Sequence, residues 1–276
     1  MKKKIPVIVA AALAVTLAAV LFCALAPCVN GLTPFQAAGV KHFLKENPFR
    51  TTDPEKGAAI SIAAGVGTNG YERNTYVGSL IEMESSPNYI EVNLVPCADG
   101  RLVLADSYFD VTEDSVDAYR VAKKLVDSTK NTSLLVNVAE YTSLNAVSAL
   151  LAQSSRFGSA VIRGVDEDTI DLVRGYFPGY TLLCEYSRQN KLSLSKIKAA
   201  GADGVYCSAS MLSAHFARRV HKAGLVLWVD CGDNTYQLVK AMNMVKVVDG
   251  LVTTNPSLAL HMKSAWSYDD FKKATA

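Results

Sequence analysis

From residue 59 onward the chain alternates short apolar runs with longer stretches whose apolar positions recur at helical spacing. The runs are AISIAAGV (59–66), YIEVNLV (89–95), SLLVNVA (133–139), SAVIRGV (159–165), YTLLCEY (180–186), DGVYCSA (203–209), LVLWVDC (225–231) and DGLVTTN (249–255). Runs this apolar suit strands of a parallel sheet, which is covered on both faces. Between them, DSVDAYRVAKKLVDSTK (114–130), SLNAVSALLAQSSR (143–156), DEDTIDLVRGYF (166–177) and MLSAHFARRVHKAG (211–224) predict helices, and Gly201 and Gly224 stand where helices should end. After the second strand, Asp99-Gly100 predicts a turn into a further short apolar strand ending at Asp106. Eight βα units in about 210 residues predict an α/β fold, a closed (β/α)8 TIM barrel. An open doubly wound sheet is the alternative, but AGVGTNG (64–70) misses the G-x-G-x-x-G spacing expected after its first strand.

Ahead of the barrel, Lys2, Lys3 and Lys4 precede a stretch, residues 5 to 29, without a charge. That length crosses a hydrocarbon core of roughly 30 Å. Residues 1–29 are therefore read as a transmembrane signal-anchor, residues 30–58 as a juxtamembrane helix and linker, and residues 59–276 as the barrel. The basic end stays cytoplasmic, which places a single-pass protein in the plasma membrane with its barrel outside. Secretion after signal cleavage is the competing reading. The length of the apolar run and Pro27, directly behind the Ala24–Ala26 cut site, favour the anchor.

A formal charge of +2 is too near balance for a nucleic-acid partner. The six cysteines form no C-x-x-C pair and have no histidine nearby, so no zinc site is indicated. Cys97, Cys184, Cys207 and Cys231 read as buried strand residues, with no pairing specified.

In a barrel of this kind the reactive groups sit at the carboxyl ends of the strands. The polar residues there include Glu91, Asn93, Asp106, Asn137, Glu140, Arg163, Glu185 and Asp230. Taken in chain order, AGVG and ERNT (64–67, 72–75), IEVN (90–93), DGRLVLADS (99–107), LLVNVA (134–139), LWVDCGD (227–233) and DGLVTTNP (249–256) resemble the motif series of the glycerophosphodiester phosphodiesterase family. The resemblance implies a TIM barrel and a phosphoric diester hydrolase of lipid metabolism. It also implies a histidine pair for proton transfer and a divalent cation on three carboxylates. Here the histidine positions fall at or beside Gly65 and at Asp106, and the arginine near Val66. Glu91 is kept, whereas Asn93 replaces the Asp, Asn137 the Glu and Ala139 the Lys.

The chemistry of these residues agrees. Phosphodiester hydrolysis near neutral pH calls for a group that gives and takes a proton, most often histidine. His42, His215, His221 and His261 all fall away from the strand ends. A hard cation at the vestigial position of Glu91, Asn93 and Asn137 would meet one formal charge in place of three, and each lost charge removes on the order of several kcal/mol. No metal, cofactor or catalytic residue is therefore expected. The expectation is a binding or scaffold pseudoenzyme whose ligand candidates are Glu91, Asn93, Asn137, Arg163, Glu185 and Trp228, and whose ligand is a glycerol phosphate or a lipid headgroup.

Two other readings stay open. One is a divergent phosphoric diester hydrolase with Asp106 as acid, Glu91 as base or ligand, and a weakly held Mg or Ca ion. The other is a structural partner of another membrane protein. Locally, Glu91 and Asn93 are expected to bond each other and water, Asp106 to cap the SYFD backbone, Arg163 to pair with Glu91 or Glu185, and Trp228 to serve as core or pocket wall.

Overall fold

The computed structural model of the chain describes residues 60–138, 144–187, 193–242, 244 and 247–263, with the backbone alone for His261. The anchor and linker, His42, Ala139 and Glu140 lie outside the described residues. Among those residues no helix is long and apolar enough to cross a membrane.

The elements run β1 (Ser61–Ala64), α1 (Tyr76–Glu84), β2 (Tyr89–Pro96), β3 (Leu102–Leu104), α2 (Ala118–Asp127), β4 (Ser133–Val138), α3 (Leu144–Leu151), β5 (Val161–Val165), α4 (Ile170–Tyr176), β6 (Thr181–Glu185), α5 (Leu194–Ala199), β7 (Gly204–Ser208), α6 (Ala214–Lys222), β8 (Val226–Gly232), α7 (Thr235–Met242), β9 (Gly250–Thr253) and α8 (Pro256–Lys263). Eight strands pair in parallel in the order β1-β2-β4-β5-β6-β7-β8-β9, and β9 returns to β1. Closure leaves no exposed sheet edge in the barrel. The remaining strand, β3, forms an antiparallel hairpin with β2 through the turn at Gly100 (φ 84°).

Helices begin where the sequence offers a side-chain acceptor. Thr75 accepts from Gly78 N, Asp117 from Tyr119 N and Ser213 from Phe216 N. The helices are shorter than their amphipathic stretches because chain on either side is committed elsewhere. Asp117, inside the predicted 114–130 helix, pairs with Val103 in a β-bridge before α2 starts. At the opposite end of the barrel, residues just ahead of β2, β7 and β9 tie neighbouring strands together. Asn88 Oδ1 accepts from Ile62 N at 2.9 Å, Asp203 Oδ2 from Leu182 N at 3.0 Å, and Asp249 Oδ2 from Leu227 N at 2.7 Å.

Side chains two apart on a strand share a face, and this periodicity stacks the barrel interior in layers. Ala63, Leu135, Val161, Leu183, Tyr206, Trp228 and Val252 form a buried apolar layer against which Tyr89 and Val226 pack. One pleat further toward the carboxyl ends, the same faces of β2, β4, β5, β6 and β8 carry Glu91, Asn137, Arg163, Glu185 and Asp230. An apolar floor therefore lies under a polar mouth. Gly250 has no side chain because the Trp228 indole occupies the place its Cβ would take. Three cysteines behave as apolar residues: Cys184, Cys207 and Cys231 are buried free thiols, and burial pushes Cys184 and Cys207 up to about 12, whereas Cys97, expected in a buried strand, is half-buried just past the end of β2.

Candidate functional site

Two hydrogen-bonded networks fill the mouth. In the first, Arg163 on β5 donates from Nε to Glu91 Oε1 at 2.7 Å and from Nη1 to Glu185 Oε1 at 2.9 Å. Nη2 also pairs with Glu91 Oε1, and Glu91 Oε2 accepts from Val66 N at 3.2 Å. A bulge in β5 sets the arginine in place: the register against β6 slips by one residue between Ile162 and Val165, at Arg163-Gly164. Gly164 there has φ 81°, and its N–H donates to Glu185 Oε1 at 3.2 Å. The guanidinium carbon lies 4.4 Å from the Tyr206 ring centroid, a cation–π contact in a desolvated setting. Burial works against the charge on Arg163, but Glu91, Tyr206 and Glu185 outweigh it and the guanidinium stays protonated. Burial raises Glu185 above the ordinary carboxylate range, against the pull of Arg163.

The second network runs across β4, β2 and the β3 end. Asn137 Nδ2 donates to Asn93 Oδ1 at 2.9 Å, and Asn93 Nδ2 to Asp106 Oδ1 at 2.7 Å. Arg73 grips Asp106 with both teeth of its fork, Nε to Oδ2 and Nη2 to Oδ1, each at 2.9 Å, and Asn74 adds a fourth donor at 2.9 Å. The Arg73 guanidinium, ahead of Asn74 and Asn93, holds the Asp106 carboxyl below its usual range. Four donors on one carboxylate leave it ionised and satisfied, the opposite of what a proton donor needs.

Below the loop that follows β1 lies Glu82, 3% exposed on the inward face of α1. Burial, reinforced by Glu91, pushes it up to about 9, so it carries a proton at neutral pH. Gly67 N–H is its backbone donor. Consecutive amides of this loop thus rest on two carboxyls, Val66 on Glu91 and Gly67 on Glu82. Tyr206, 4% exposed in the apolar floor, has a buried hydroxyl without a hydrogen-bond partner among the described residues.

The structure brings Glu91, Asn93, Asp106, Asn137, Arg163 and Glu185 to the mouth together. Two local expectations need correction and two hold. Glu91 and Asn93 do not bond each other; each belongs to a different network. Asp106 does not cap the SYFD backbone, because Arg73, Asn74 and Asn93 take its oxygens, and Ser107 bonds Asp110 instead. Arg163 pairs with both of the glutamates expected as its partners. Trp228 is core, as expected of it locally: it lies in the floor, one layer below the other ligand candidates, 4% exposed and edge-on to Tyr89 at 5.4 Å between centroids. Sequence reasoning missed Arg73, Glu82 and Tyr206 as members of the site. Glu82 had a readable signal, since Gly78, Ser79, Glu82 and Met83 form one helical face and all are buried.

The divalent cation implied by the resemblance does not fit these residues. Asn93 and Asn137 spend their amides on each other and on Asp106, while Glu91 already faces a guanidinium. Among the described residues no group of three or more His, Cys, Asp or Glu side chains is placed to hold a metal. His215 and His221 lie on α6, and His221 Nε2 is 2.8 Å from Asp249 Oδ2 at the far end of the barrel.

No family model and no curated protein matches the chain. Solved structures do match in fold. A glycerophosphoryl diester phosphodiesterase of Agrobacterium tumefaciens aligns with a TM-score of 0.65 at 16% identity, over 74% of this chain and 97% of that one. An Oleispira antarctica phosphodiesterase, solved with its product sn-glycerol-3-phosphate, aligns at 0.63 and 12% identity over 75% and 98%. A glycerophosphodiester phosphodiesterase of Galdieria sulphuraria aligns at 0.61 and 14% identity over 74% and 98%. The barrel therefore has the glycerophosphodiester phosphodiesterase fold across almost the whole length of those proteins.

Proposed function

We propose that this chain is a membrane-anchored, extracytoplasmic barrel of the glycerophosphodiester phosphodiesterase type that binds or presents a ligand without hydrolysing it. The observation that carries this reading is the state of the two carboxylates a hydrolase would use. Glu91 is paired with Arg163, and Asp106 accepts from four donors. A general base needs a free lone pair, and a general acid needs a proton at working pH. Asp106 has no proton to give, Glu91 is held by Arg163 and by Val66 N–H, and neither His215 nor His221 hydrogen-bonds either carboxylate. Fold does not settle function, so the argument rests on this site.

The retained ligand is a glycerol phosphate or a lipid headgroup carrying one. Its phosphate would meet Arg163, the buried cation of the mouth, by displacing Glu185, the more exposed of the two partners (37% against 7% for Glu91). The apolar stretch of residues 5 to 29 would hold the barrel at the membrane that carries such headgroups.

The test is release of glycerol phosphate from glycerophosphocholine by the purified full chain, with Mg²⁺, with Ca²⁺ and with chelator. No turnover above buffer is expected in any condition. Metal-dependent turnover that disappears in Glu91→Gln would overturn the reading.

A further inference from the structure

Parallel strands put their carboxyl ends at the mouth, so the helices that return the chain finish at the opposite end, the base. Lys124 stands in the last turn of α2, Lys196 and Lys198 in that of α5, Arg219 and Lys222 in that of α6, and Lys240 in that of α7. All but Lys240 are exposed. A cation at one helix end is a local preference, but helices that end on one face turn it into a basic surface. Against these cations stand the exposed Glu84 and Asp127, while Asp203 and Asp249 are taken up by Arg174 and His221. The rim of the mouth has the opposite sign. Asp110, Glu113 and Asp114 follow β3, Asp166 and Asp168 follow β5, and Asp233 follows β8, all exposed. The exposed cations Arg73, Arg101 and Arg120 of that end lie on Asp106, on Asp99 and on the Tyr76 ring.

We propose that the base of the barrel is a docking face for an anionic bilayer surface, which turns the mouth toward the aqueous side. The chain enters the barrel at this end: Ile60, just ahead of β1, accepts from Lys263 Nζ at the end of α8 at 2.8 Å. The apolar stretch of residues 5 to 29 joins there through residues 30 to 59. A connector of that length reaches roughly 100 Å when extended, so the tether permits any orientation and the surface charges decide. Lysines and arginines are drawn to anionic headgroups within a Debye length, about 8 Å, and the acidic rim is pushed away over the same range. Exposed aromatics at the mouth, Tyr71 and Phe109, offer an apolar contact of their own. Each is followed by an exposed carboxylate, Glu72 or Asp110, that an anionic surface repels.

The docking face rests on the membrane-anchored part of the proposed function, and the two fail separately. The full chain is reconstituted into vesicles of phosphatidylcholine alone or with about 30% phosphatidylglycerol. A donor dye is placed at Ala214→Cys, exposed at the mouth end of α6, or at Ala199→Cys, exposed at the base end of α5, and an acceptor in the headgroups. The signal of the dye-treated unaltered protein is subtracted to remove the native cysteines. In anionic vesicles, energy transfer from position 199 is expected to be at least about twice that from position 214. The ratio should fall in neutral vesicles, in about 0.5 M salt, and in the Lys198→Glu/Arg219→Glu/Lys222→Glu variant, whose three positions are exposed. If that variant does not fold, the lipid and salt comparisons carry the test with the surface charges unaltered. Transfer from position 214 equal to or above that from position 199 in anionic vesicles would overturn the docking face and leave the anchor in place, as would a ratio indifferent to lipid charge and salt. Retention of the chain by anionic vesicles alone would remove the anchor and keep the docking face, and retention by neither kind would remove both.

Discussion

Asn137 faces Asn93 across the β2–β4 ladder as its direct register partner and donates its side-chain N–H to the Asn93 carbonyl at 2.9 Å. That bond fixes the Asn93 amide so that its own N–H reaches Asp106 at 2.7 Å. At Asn93 the chain needs a group that accepts on one side and donates on the other, which an amide does and a carboxylate does not. Asn93→Asp keeps the acceptor and sets two carboxylates at hydrogen-bond separation. The expected cost is about 2 to 4 kcal/mol of stability at neutral pH, measured by urea denaturation. It should shrink as pH falls to where one carboxyl of the pair takes up a proton.

The bulge that aims Arg163 depends on Gly164. Its φ of 81° disfavours any side chain, and an added Cβ would run into Asn137 Oδ1 and the Val138 carbonyl. Gly164→Ala should therefore cost about 3 kcal/mol or more, combining backbone strain with overpacking. Gly232 has a positive φ of 52° but open space around it, so Gly232→Ala isolates the strain alone, about 1 kcal/mol. Equal losses in a denaturant comparison would show that the contact with Asn137 carries no weight.

The barrel was legible because its signals are local. Each parallel strand is a short run buried on both faces, so YIEVNLV or LVLWVDC announces itself without reference to partners. The Asp99-Gly100 turn likewise announced the β2–β3 hairpin. Helix ends were less legible, since the stop at Asp117 depends on a bridge to Val103 that no helical pattern contains. The candidate residues of the mouth were found because a barrel fixes where strand ends gather. Their pairing was not found, because it joins positions far apart in sequence, as with Glu91 and Arg163 or Arg73 and Asp106. The one-residue slip at Arg163-Gly164 has no signal beyond a glycine in a strand, and the burial of Glu82 was hidden by the habit of assigning glutamates to solvent.

Glu185 is the outer arm of the Arg163 pair, and it limits what an anion can gain there. In Glu185→Gln the side-chain carbonyl still accepts from Arg163 and from Gly164 N–H, but the competing charge is gone. Affinity for inorganic phosphate and for sn-glycerol 3-phosphate should rise about fivefold, roughly 1 kcal/mol, when measured by titration calorimetry in chelator. Unchanged affinity for both would mean that anions do not reach Arg163.

Glu82 gives the fold a pH dependence with a definite sign. Burial raises it from 4.5 to about 9 in the folded protein, while in the unfolded chain it titrates in the ordinary carboxylate range. Between those values the folded state holds one more proton than the unfolded state, so its contribution is fully present below about 4.5 and is lost progressively as pH rises toward 9. Glu82→Gln keeps the carbonyl that accepts from Gly67 N–H and removes the titration. Relative to the unaltered protein, the variant should be about equally stable near pH 4.5. Its advantage should then widen with pH, reaching on the order of 2 to 3 kcal/mol at neutral pH. Thermal unfolding across this range measures the difference directly. Glu84→Gln, at an exposed position on the same helix, should leave the pH profile as it is. A Glu82→Gln curve parallel to that of the unaltered protein would mean that Glu82 is already ionised in the fold, and that two adjacent buried carboxylates share the loop after β1 with no proton between them.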